Sequence, residues 1–124
     1  MHKHVTINGK PLRIEITAQA QSALAKRDFP LIAEMELYFS CLVRKQVRFH
    51  EVSRDRIVQS VVVDKHLAVQ FRPVMTQSCG VDEVTGEEPP VTDFPIANPA
   101  AFVPHWLRID FRNGHWQGEF GYQR

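Results

Sequence analysis

Apolar and polar residues alternate along most of this chain, and a period of two marks strands with one dry and one wet face. In HVTINGKPLRIEI, His4 to Ile16, the pair Asn8-Gly9 suits a two-residue turn in which both positions need positive φ. That turn sets Val5 opposite Leu12, gathers Val5, Ile7, Leu12 and Ile14 on one face, and leaves His4 opposite Arg13 on the other. HWLRIDFRNGHWQGEFGY, His105 to Tyr122, repeats the logic around Asn113-Gly114. Phe111 then opposes Trp116, Leu107 opposes Phe120 and His105 opposes Tyr122. On the other face Arg108 meets Glu119 as a cross-strand ion pair, and Trp106 lies over Gly121, where a missing side chain leaves room for a ring.

Two stretches between these hairpins also alternate. In AEMELYFSCLVRKQVRF, Ala33 to Phe49, Ala33, Met35, Leu37, Phe39, Cys41, Val43, Val47 and Phe49 form an apolar set, and Glu34, Glu36, Tyr38, Ser40, Arg44 and Arg48 are mostly the polar set. A three-residue turn near Arg44-Lys45-Gln46 keeps odd residues opposite odd residues, and one long bent strand is the competing reading. IVQSVVVDKHLAVQF, Ile57 to Phe71, folds about Asp64-Lys65, with Val62 opposite Leu67, Ser60 opposite Val69 and Val58 opposite Phe71. Before both lies TAQAQSALAKRDFP, where Thr17 is placed to cap a short helix running through Lys26, and Asp28-Phe29-Pro30 stops it. The expectation is an α+β fold, a mostly antiparallel sheet built from hairpins with one short helix near the N-terminus.

The pattern breaks at SCGVDEVTGEEPPVTDFPIANPAAFVP, Ser78 to Pro104, which holds five of the chain's eight prolines and five acidic residues. With strands expected on either side, residues 76–104 form a closed loop within a single domain, 1–124, and loops of this length usually carry function or disorder. The half from Phe94 to Pro104 is expected to pack along the sheet, and the acidic half to stay mobile.

Composition narrows the classes. At 124 residues, 44% hydrophobic and 23% charged, the chain is sized and composed for one packed core. A net charge of +1 argues against a strongly basic nucleic-acid or membrane surface. The two cysteines, Cys41 and Cys79, make no disulfide framework. No apolar run of membrane-spanning length occurs, and a cytoplasmic protein with reduced thiols is expected.

Candidate chemistry is sparse. Cys41 falls in an apolar alternation and reads as a buried hydrophobic thiol. Cys79 sits among acids, whose charge disfavours the thiolate and argues against a reactive nucleophile. His2 and His4 share a strand face beside Arg13, which would repel a cation. The stretch ITAQAQSALAKR, Ile16 to Arg27, followed by a cysteine-bearing strand, resembles the opening helix of the A-type iron–sulfur carriers. That likeness implies a thiolate-held cluster, but those carriers end in Cys-Gly-Cys, and here Cys79-Gly80 is followed by Val81. His105 is the best-placed acid–base candidate, opposite Tyr122 and directly after the long loop.

Two surfaces stand out for partners. Seven basic residues from Arg44 to Arg72, set against Glu51, Asp55 and Asp64, make the middle locally basic. Trp106, Arg108 and Arg112 add groups that stack on unpaired bases, so Arg44, Arg48, Trp106, Arg108 and Arg112 form a candidate nucleic-acid surface. The other is the meeting of the long loop with the last hairpin, around Cys79, Asp93, His105 and Tyr122. The leading expectation is a binding or adaptor protein without a catalytic centre, joining a protein partner or a second copy of itself as a homodimer. A metal or iron–sulfur carrier or enzyme using Cys79 and His105 is the second, and a single-stranded RNA-binding module the third. The sequence names no cofactor and no metal.

Overall fold

The computed structural model describes residues 1–39, 44–76, 91–93 and 102–122. The elements are β1 (His2–Ile7), β2 (Lys10–Ile16), α1 (Ala18–Ala25), β3 (Leu31–Phe39), β4 (Arg44–Glu51), α2 (Arg54–Val58), β5 (Val61–Asp64), β6 (Leu67–Thr76), β7 (Val91–Asp93), β8 (Trp106–Arg112) and β9 (His115–Gly121). They make an α+β fold with two sheets. One is four-stranded in the order β1-β2-β8-β9, and the other is five-stranded, β4-β3-β6-β5 with β7 on the far half of β6.

Both Asn-Gly turns form with positive φ at each position. They set the registers that alternation predicts, Val5 opposite Leu12 and Phe111 opposite Trp116. The sheets are mixed, however, and not assembled from hairpins alone. β2 pairs with β8 in parallel, Ile14 beside Leu107, and β3 pairs with β6 in parallel along nine positions. Alternation reports which face of a strand is dry and carries no information about strand direction, so a parallel partner cannot be told from an antiparallel one.

The inner faces pack together. Leu12, Ile14, Leu107, Ile109 and Phe120 from the four-stranded sheet share one buried cluster with Leu31, Ala33, Met35, Leu67 and Val69 from the other. Along one border β9 comes so close to β4 that a Cβ on Gly118 would stand 2.9 Å from Phe49 Cζ. Along the other, Lys3 of β1 reaches Asp64 of β5 at 3.6 Å. Thr17 caps α1, its hydroxyl accepting from the Ala20 amide at 3.2 Å, and Ala20 and Leu24 close the core from that side.

Two expected turns are corrected. Arg44, Lys45 and Gln46 belong to β4 and pair with Tyr38, Leu37 and Glu36, so they are not the turn. Odd residues still face odd, since parity survives a shift of the turn by whole pleats. β5 meets β6 with Val61 opposite Val69 and Val62 opposite Ala68, one residue away from the expected register. The cause is local. Asp64 Oδ1 accepts from the His66 amide at 2.8 Å, which moves the turn to Lys65-His66, and a bulge follows between Val62 and Asp64. The slip turns Val62 outward, 59% exposed, and Ile57 and Val58 belong to α2, capped by Ser53, instead of a strand.

The long loop contains β7, whose Asp93 pairs with Val74, and Val103 and Pro104 at its end are buried. Of the acidic half expected to stay mobile, Val91–Asp93 are instead paired as β7, and residues 78–90, the expected packing of 94–101 and the buried Cys41 thiol lie outside the described residues.

Candidate functional site

Because Asn113-Gly114 fixes the register of β8 and β9, the even residues of β8 point away from the core. Trp106, Arg108 and Asp110 stand outward, with Gly121, Glu119 and Gln117 beside them on β9. The parallel pairing of β2 places Arg13 next to Trp106 and Glu15 next to Arg108, and β1 adds His4 opposite Arg13. His4, Pro11, Arg13, Glu15, His105, Trp106, Arg108 and Glu119 line an open cleft of about 660 Å³ on this outer face.

Trp106 lies across Gly121. A Cβ there would meet Trp106 Cζ2 at 2.6 Å and Cε2 at 2.8 Å, so only glycine lets the indole lie down along the sheet. Among the described residues the indole has no stacked ring, no cation above it and no acceptor for its Nε1–H. Arg13, Glu15, Arg108 and Glu119 likewise form no ion pair among the described residues. The expected Arg108–Glu119 pair is therefore corrected: the two stand in register, as cross-strand neighbours do, without closing a salt bridge.

Below the cleft the face is committed. Asp110 accepts from the Thr17 hydroxyl at 2.7 Å and from the Phe111 amide at 2.8 Å, and pairs with Arg112 Nε at 2.7 Å. The Thr17 hydrogen bond leads in holding the Asp110 carboxyl below its ordinary range. Thr17 thus ties the start of α1 to β8.

At the upper rim the His105 amide donates to the Gly121 carbonyl at 2.9 Å, and its carbonyl accepts from the Arg13 amide at 3.1 Å. The His105 and Tyr122 rings meet edge to face, centroids 5.8 Å apart. The Tyr122 hydroxyl donates to the Phe102 carbonyl at 2.6 Å, and burial pushes its pKa up to about 12. Of the four residues expected at the loop and hairpin, His105 and Tyr122 are in contact. Asp93 belongs to the five-stranded sheet, and Cys79 lies outside the described residues.

The candidate nucleic-acid set is divided. Trp106, Arg108 and Arg112 share the outer face of the four-stranded sheet, whereas Arg44 and Arg48 sit on β4, on the outer face of the other. Inner faces packed together put these two groups on opposite sides of the molecule.

Arg48 belongs to a site that alternation did not reveal. Glu34 and Glu36, read as solvated, are 3% and 2% exposed on the central strand β3. Glu36 Oε1 accepts from Arg48 Nε at 2.7 Å and from the Tyr38 hydroxyl at 2.9 Å. Glu34 Oε1 lies 2.9 Å from His50 Nε2, and Arg72 Nη1 reaches both carboxylates, at 3.7 and 3.8 Å. Burial leads in raising the Tyr38 pKa. The only sequence signal was a pair of glutamates two apart on the strand with a tyrosine in phase, and their partners required the β3–β4 and β3–β6 registers.

Among the described residues no three histidine, cysteine, aspartate or glutamate side chains converge as a metal site, and no helix is long and apolar enough to cross a membrane. No family model, no curated protein and no solved structure matches the chain, so its function rests on the geometry of its own two outer faces.

Proposed function

We propose that the protein is a binding module whose working surface is the outer face of the four-stranded sheet, centred on Trp106. The observation that carries this reading is the indole laid flat on Gly121, with four charged side chains around it that form no ion pair among the described residues. A tryptophan in this posture offers a large rigid contact area at little entropic cost, which is why such residues dominate binding surfaces. Charges held on a rigid sheet without ion partners among the described residues are already placed, so a partner need not break such pairs to use them.

A protein partner suits the face better than a nucleic acid. Arg13 and Arg108 are balanced by Glu15 and Glu119, and a polyanion gains from the first two only by approaching the second two. A catalytic reading has less support: His105 lines the cleft, but the hydroxyl of the Tyr122 ring packed against it donates to a backbone carbonyl, and burial raises its pKa further from neutrality.

The test is selection of binders from a displayed library of random peptides, run in parallel on the protein and on Trp106→Ala. Sequences enriched by the first and not by the second are expected. Enrichment that survives the substitution, or none at all, overturns the reading.

A further inference from the structure

The order of charges on the cleft specifies more than a site. Across the sheet, Glu15 on β2, Arg108 on β8 and Glu119 on β9 form a row of alternating sign at the strand spacing of about 4.8 Å. One row up stand Arg13, Trp106 and Gly121. Arg13 and Arg108 are diagonal neighbours across β2 and β8, about 8 Å apart at the backbone from strand spacing and rise. Both are long enough to converge on one carboxylate. Trp106 and Glu119 are diagonal neighbours across β8 and β9, and because the indole rests on Gly121 it leans toward the strand that carries Glu119. The cleft therefore contains an anion slot, Arg13 with Arg108, beside a cation slot, the indole face with Glu119.

We infer that the cleft takes an extended peptide segment in which a basic and an acidic side chain are neighbours. The base lies on Trp106 against Glu119, and the acid lies between Arg13 and Arg108. This rests on the reading of the outer face as the binding surface and adds the chemistry of the ligand. A cation over an indole is favoured by the ring quadrupole, and more so with a carboxylate beside it. The indole Nε1–H, without an acceptor among the described residues, is a donor for a peptide carbonyl. A segment of one sign meets attraction in one slot and like charge in the other, whereas a segment of mixed sign meets an attractive charge in both. An open cleft on a sheet cannot surround a small zwitterion as an enclosed pocket does, which favours a ligand that extends beyond the two slots.

The experiment follows the Trp106 indole Nε1–H by nuclear magnetic resonance in the ¹⁵N-labelled chain, its signal assigned with Trp106→Phe. The probes are peptides of equal length made of Arg-Gly-Glu-Gly, Arg-Gly-Gln-Gly or Gln-Gly-Glu-Gly repeats, and oligouridylate. The mixed peptide is expected to bind at least about tenfold tighter than either single-sign peptide, a difference of about 1.4 kcal/mol. Glu119→Gln is expected to erase its advantage over the acid-only peptide. Equal or tighter binding by a single-sign peptide or by oligouridylate overturns the inference. If no probe moves the Trp106 signal while the displayed library still yields Trp106-dependent sequences, the binding face stands and this ligand class falls. If the library yields none either, both fall.

Discussion

The two outer faces of this molecule use the same groups to opposite ends. On the five-stranded sheet, Arg48, Arg72, His50 and Tyr38 are drawn into one network around the buried Glu34 and Glu36, in which each carboxylate has at least two partners. On the four-stranded sheet, Arg13, Glu15, Arg108, Glu119 and Trp106 stand side by side in the open without pairing among the described residues. The difference is burial. β3 and β6 are central strands covered on both faces, and a carboxylate held away from water must be paired or lose its charge. β2 and β8 are central as well, but their outer face stays wet, and water solvates each charge well enough that a surface ion pair adds little. A paired, buried cluster holds structure. An unpaired, exposed one is available to a partner.

Removing a carboxylate from each face tests this most directly. Glu36→Ala removes a buried carboxylate that accepts from both Arg48 and the Tyr38 hydroxyl, and about 3 kcal/mol of unfolding free energy is expected to be lost in urea titrations. Glu119→Ala, on the open face, is expected to change stability by less than about 0.5 kcal/mol. Comparable losses from the two substitutions would erase the distinction between the faces.

A smaller effect is expected at Gly121. Gly121→Ala puts a methyl where Trp106 now lies and costs about 1 kcal/mol by overpacking. The indole should swing toward solvent, giving a red-shifted emission readable in a Trp116→Phe background, with the charges around it untouched. An unshifted spectrum would mean that the platform does not depend on the missing side chain.

The smallest effect concerns pH. Tyr122 has its pKa raised to about 12 from an ordinary value of 10.0, and Tyr38 is shifted the same way, both mainly by burial. The folded state therefore keeps protons that the unfolded chain has released. The stability these groups contribute is intact below pH 10 and falls as pH rises from 10 toward 12. In Tyr122→Phe the part of that fall due to Tyr122 should vanish, and the lost hydrogen bond to the Phe102 carbonyl should cost about 1 kcal/mol at neutral pH. A pH profile unchanged by the substitution would contradict the raised pKa of the half-buried Tyr122 hydroxyl.

Legibility followed the range of the interaction. Asn8-Gly9 and Asn113-Gly114 announced their turns because positive φ at two adjacent positions is a local demand, and each turn carried its register with it. Trp106 over Gly121 followed at once. The same reasoning failed at Asp64, where a side chain accepting from the His66 amide shifted the turn by one residue and reversed which valines face the core. Half of the candidate cleft was legible, namely Trp106, Arg108, His105 and Glu119 on one hairpin. Arg13 and Glu15 were visible as a solvated face but could not be joined to it.

By itself, then, the amino-acid order determined the two terminal hairpins, the cap of α1 and the identity of the dry face on most strands, all from contacts within a turn or across a two-residue loop. Only the tertiary structure decided the parallel joins β2–β8 and β3–β6, since these bring together residues far apart in sequence whose alternation fits either direction. Those two joins account for both functional features. One lays Arg13 and Glu15 beside Trp106 and Arg108 to complete the cleft, and the other sets Arg72 against Glu34 and Glu36, turning a polar face into a buried network.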